Sequence, residues 1–141
     1  DQLRKNHLVL GWTMLLLFAL LGTFLEALPG FKVSWYLDVG HETRRLMFRL
    51  AHVHGTLIGL VHIACGVTVG TLTTWSLKSR NIASPSMKVA SVLLPGGFFA
   101  GGVIIHDGDP GLGIFLVPLG AIALIISFAL TMHALRKSVD S

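Results

Sequence analysis

Four apolar stretches, each long enough to cross a lipid bilayer, take up most of this 141-residue chain. A bilayer core is about 30 Å thick, and about 20 helical residues cross it. Backbone groups in hydrocarbon must be hydrogen-bonded within the segment, so such stretches fold as helices or closed barrels. The alternating pattern of barrel strands is absent. The expected fold is all-α: a four-transmembrane-helix bundle, up-down-up-down, forming a single domain over 1–141. The helices are expected over about 8–28, 41–76, 85–106 and 110–136.

Local signals set these limits. Pro29-Gly30 stops the first helix. Ser84-Pro85 and Asp109-Pro110 read as N-cap and first-turn pairs for the third and fourth. Arg45, Arg49, His52 and Thr56 fall on one helical face, so the second helix is expected to project beyond the membrane on the outer side. Pro95-Gly96-Gly97 followed by Gly101-Gly102 predicts a kink or break in the third. Arg4 and Lys5 before an apolar run suggest a signal peptide. That run is too long and lacks a small-x-small cleavage site, so it reads as a span. The chain starts at Asp1 rather than Met, which leaves room for residues before it.

Only 13% of residues are charged, against 52% hydrophobic, and the mean hydropathy is +0.73. That balance excludes a water-soluble globule, a disordered tail and a nucleic-acid-binding domain. One cysteine, Cys65, excludes an internal disulfide. Seven basic residues (Arg4, Lys5, Lys78, Arg80, Lys88, Arg136 and Lys137) fall on one side of the expected topology. The positive-inside rule then places both termini in the cytoplasm. Phe31, Trp35 and Tyr36 suit an aromatic belt in contact with lipid at the opposite interface.

Ionisable side chains in a membrane mark function by default. Seven histidines occur, and His52, His54, His62, His106 and His133 lie in or at the ends of spans. His52, His54 and His106 share an outer depth with Glu26. His62 lies about 15 Å deeper than His52, ten residues along the helix. Neutral imidazole ligates transition metals and haem b. The candidate cofactor residues are therefore His52, His54 and His106, with Arg45 and Arg49 for propionates or lipid headgroups. The candidate metal set is His52, His54, His106 and Glu26. His52 and His54 are about 200° apart around a helix and must face different neighbours. His62 is a candidate proton relay. Cys65 reads as a small inert hydrophobe. Gly55, Gly59, His62, Gly66 and Gly70 form one stripe, which predicts close helix packing and turns His62 toward protein. His106 to Pro110 reads as a turn between two helices.

The run from Arg44 to Gly59, with His52-x-His54-Gly55 inside it, resembles a family of small four-span bacterial membrane proteins with no assigned function. Gly108 to Gly113 is similar to theirs as well. The resemblance implies a bacterial inner membrane. An arginine-rich lead into His-x-His-Gly also resembles an early helix of haem-copper oxidase-related proteins. That likeness covers one helix and implies His52 or His54 as haem ligands.

No nucleophile-base pair, phosphate loop or soluble catalytic region occurs, so a stand-alone enzyme is not expected. The expected function is a membrane subunit of a larger respiratory or photosynthetic electron-transfer complex, partnered by other membrane subunits. It would bind haem b, a transition metal or a quinone near the outer face. A purely structural subunit and a small transporter or proton channel are the alternatives.

Overall fold

The structure is a computed structural model that describes residues 2–38, 40, 42–72 and 75–139. The chain is all-α, with four helices long and apolar enough to cross a membrane. These are α1 (Gln2–Gly30), α3 (Glu42–Thr71), α4 (Leu77–Val103) and α5 (Leu116–Val139). A short helix, α2 (Ser34–Leu37), follows α1. Between α4 and α5 lie two-residue strands, β1 (Ile105–His106) and β2 (Asp109–Pro110), and a 3-10 turn over Leu112–Phe115. At 1.5 Å per residue the 30 residues of α3 extend about 45 Å, so its ends pass beyond a hydrocarbon core.

The helices pack in series: α1 on α3, α3 on α4, α4 on α5. One core cluster draws on all four, with Met14, Ile58, Ala90 and Leu94 at its centre and Val117 and Leu124 against it. Along α1 and α3, Arg4 meets Gly70, Leu8 meets Gly66, Gly11 meets Gly59, and Gly22 meets His52. Sequence numbers therefore rise on one helix as they fall on the other. The same holds for α3 and α4, where Phe48 meets Gly102 and His54 meets Phe98, and for α4 and α5, where Leu94 meets Gly120 and Gly97 meets Val117. Trp12, Leu16, Leu20 and Phe24 stand four residues apart on α1 and are exposed. That stripe suits lipid, while His7, His62, Ser84 and Ser127 are buried.

The glycine stripe packs as its spacing predicts. A Cβ on Gly11 would sit 2.7 Å from the Gly59 carbonyl oxygen, so the two backbones touch where no side chain fits.

Several helix limits differ from the sequence reading. Ser84-Pro85 lies inside α4, which begins earlier, with the Ser76 hydroxyl accepting from the Ser79 N–H at 3.3 Å. Pro85 removes the donor that would serve the Asn81 carbonyl, and Asn81 is exposed, where a freed carbonyl can be solvated. The break expected at Pro95-Gly96-Gly97 does not occur, and α4 runs through it as one helix. Gly97 lies against Leu116 and Val117, and Gly102 against Met47 and Phe48, so packing on both sides holds this segment helical. Asp109-Pro110 caps no helix. It pairs with Ile105–His106 across a two-residue turn, Asp107-Gly108, with both φ values positive (49° and 91°). Asp-Gly is a favoured sequence for such a hairpin turn. The sequence reading began the second helix at His41, which lies outside the described residues.

Gly11→Val should destabilise the bundle by about 1–3 kcal/mol through overpacking against Gly59 and Ile63. Reversible unfolding in mixed micelles would measure the loss, with lipid-facing Leu16→Val as the near-neutral control.

Candidate functional site

Polar side chains gather at two levels of the bundle. The first lies where α2 and the start of α3 close over the end of α1. Arg44 is buried, donating from Nε to the Gly102 carbonyl and from Nη1 to the Trp35 carbonyl, both at 3.2 Å. Its guanidinium lies 4.3 Å from the centroid of the Trp35 ring. Arg45 Nη1 donates to the carbonyls of Tyr36 (3.0 Å) and Asp38 (2.9 Å), with Glu42 at 3.8 Å from Nη2. These arginines satisfy carbonyls that the four-residue α2 leaves open, and they hold that segment on α3. Thr43 Oγ1 donates to the Gly108 carbonyl and ties the hairpin to the same rim.

Arg49, one turn further along α3, is exposed and lines a cleft of about 300 Å³ with Gly22, Leu25, Glu26, Pro29, Tyr36 and His52. His52 Nδ1 lies 2.7 Å from the Phe18 carbonyl oxygen. A carbonyl only accepts, so Nδ1 carries the proton, and in the neutral ring Nε2 is left bare. Gly22 is the reason the ring fits: any side chain there would collide with it. The cleft thus combines a carboxylate, a guanidinium and an oriented imidazole beside the buried Tyr36 ring.

Of the residues singled out from sequence, Glu26, Arg49 and His52 share this cleft. His54 does not. It faces α4, with its ring 4.7 Å from that of Phe98 and its Nδ1 2.8 Å from the Leu50 carbonyl oxygen. The two histidines face different neighbours, as their 200° separation requires. His106 is exposed on β1. Arg45 is committed to backbone carbonyls. Among the described residues, no three His, Cys, Asp or Glu side chains form a metal-holding group.

The second level lies nearer the start of α1. His7 Nδ1 and His62 Nδ1 are 2.8 Å apart, and His7 Nε2 is 2.9 Å from Ser84 Oγ. The two rings stack with centroids 5.0 Å apart. Both histidines are 0% exposed and Ser84 is 5% exposed. His62 Nε2 is buried without a hydrogen-bond partner among the described residues. Cys65, one turn beyond His62, is buried with a free thiol.

Sequence reasoning singled out His62 but passed over His7 and Ser84. The signal for His7 was present. Gly11 packs on Gly59, and His7 and His62 each lie one turn away from that contact in the matching direction. Ser84 was hidden by its reading as a cap.

Arg44→Met should leave the Gly102 and Trp35 carbonyls without their charged donor, at a cost of at least about 1.5–3 kcal/mol. Hydrogen exchange at Ser34–Leu37 should rise in the same variant, because that segment loses its anchor.

Comparison with protein-family models, with curated proteins and with solved structures finds no match to this chain.

Proposed function

We propose that the chain is an integral membrane subunit of a larger electron-transfer complex, and that its α1–α3 cleft receives the polar head of a quinone. The observation that carries this reading is the grouping of Glu26, Arg49 and His52 around one cleft. A quinone ring offers two carbonyl oxygens, which need donors, and its reduction by two electrons takes up two protons. Arg49 supplies donors. Glu26 and His52 are groups that exchange protons. The electrons would come from a redox centre on a partner subunit.

The cleft volume, about 300 Å³, is at the small end of ligand pockets and suits a ring-sized head better than haem b. Exposed apolar stripes on the helices suit lipid and neighbouring membrane subunits. The alternating helix directions support an up-down-up-down order. Together with the basic residues near both termini, that order supports a proposal in which both ends face the cytoplasm of a bacterial inner membrane.

A short-chain quinone titrated into the chain in lipid nanodiscs should bind saturably. Arg49→Met should weaken quinone binding at least about 10-fold, the effect of losing a charge-assisted hydrogen bond, and His52→Leu should weaken binding of the reduced quinol, whose hydroxyl can donate to the bare His52 Nε2. Absence of saturable binding, or binding unchanged in both variants, would leave the cleft with a purely structural role.

A further inference from the structure

We infer that Ser84, His7 and His62 form a proton relay, running from a cleft beside the start of α4 into the bundle interior and ending at His62 Nε2. This goes beyond the quinone reading and shares no residue with it.

The terminus at Ser84 is accessible. Ser84 lines a cleft of about 300 Å³ with Leu3, Arg80, Asn81 and Pro85. The inner terminus, His62 Nε2, is fully buried and has no hydrogen-bond partner among the described residues. A buried imidazole nitrogen left unpaired is costly and calls for a water molecule as its partner. Between these termini every link is within hydrogen-bond distance, at 2.9 and 2.8 Å.

The Nδ1–Nδ1 contact needs one donor and one acceptor, and this fixes how protons can sit. In one arrangement the Ser84 hydroxyl donates to His7 Nε2, His7 Nδ1–H donates to His62 Nδ1, and His62 Nε2 carries a proton. In the other, His7 Nε2–H donates to Ser84, His62 Nδ1–H donates to His7 Nδ1, and His62 Nε2 is bare. Both arrangements use the same heavy-atom positions. A proton arriving at Ser84 Oγ converts the first into the second. The hydroxyl proton passes to His7 Nε2, the His7 Nδ1 proton passes to His62 Nδ1, and the His62 Nε2 proton passes to a water molecule hydrogen-bonded at that nitrogen, which carries it onward. One proton enters, one leaves, and no bond between heavier atoms changes. Uptake at Nε2 runs the sequence backwards. No carboxylate pairs with either ring among the described residues, so no counter-ion pins an imidazolium in place.

Nitrogen-15 NMR of histidine-labelled chain in nanodiscs tests this, with His7→Gln and His62→Gln assigning the signals. A coupling between the two Nδ1 atoms through their shared proton is expected. Ring-proton exchange with water should slow at least about 10-fold in Ser84→Ala and recover in Ser84→Thr, which keeps the hydroxyl. Asn81→Phe, at an exposed position on the cleft, should slow exchange without touching the chain of groups. Absence of the coupling overturns the proposal. So does exchange as fast in Ser84→Ala and Asn81→Phe as in the parent chain, which would make the contact a static brace.

Discussion

The close approach of α1 to α3 is the contact on which the other features rest. Where Gly11 meets Gly59, two backbones touch with no side chain between them. In lipid, where apolar side chains gain little by leaving one apolar surface for another, such contact is a main source of helix association. It also sets the register of everything along the pair. One turn toward the start of α1 it puts His7 beside His62. Further along in the other direction it puts the Gly22 backbone under the His52 ring. A shift of one residue would swing His52 and His62 by about 100° and dissolve both groupings.

The arginine clamp at the far end serves a different need. A four-residue helix cannot satisfy its own carbonyls, and the chain over Trp35 to Asp38 is held by Arg44 and Arg45 instead. The clamp uses neutral carbonyls and a ring face rather than a carboxylate, apart from the distant Glu42 contact. It shapes the wall of the α1–α3 cleft, because Tyr36 lies within the clamped segment. The proposed quinone site and the structural role of these arginines are thus linked through one short helix.

Much of the fold could be read from the sequence because lipid permits few solutions. Four long apolar runs leave helices as the answer, and the glycine spacing on α3 indicates which face meets α1. The parts that could not be read are those where tertiary packing overrules a local signal. Ser84-Pro85 has the form of a cap, yet it sits mid-helix because Ser76 caps earlier and an exposed Asn81 tolerates the missing donor. Pro95 and its glycines have the form of a break, yet both flanks are packed. The outer histidines were legible as ionisable groups at one depth, but depth alone does not say which neighbour each ring faces. His52 turns to α1, His54 to α4, and His106 leaves the bundle on the hairpin. His7 was given no role because its importance lies in a partner 55 residues away.

The buried pair of imidazoles also has an electrical meaning. Its two proton arrangements point their bond dipoles in opposite directions while the rings stay in place. The pair is therefore a small reversible dipole inside a low-dielectric slab. Any part of it along the membrane normal makes the balance between the arrangements vary with the voltage across the slab. Converting one arrangement into the other moves protons only, one entering at Ser84 and one passing out at His62 Nε2, so the packed helices keep their places.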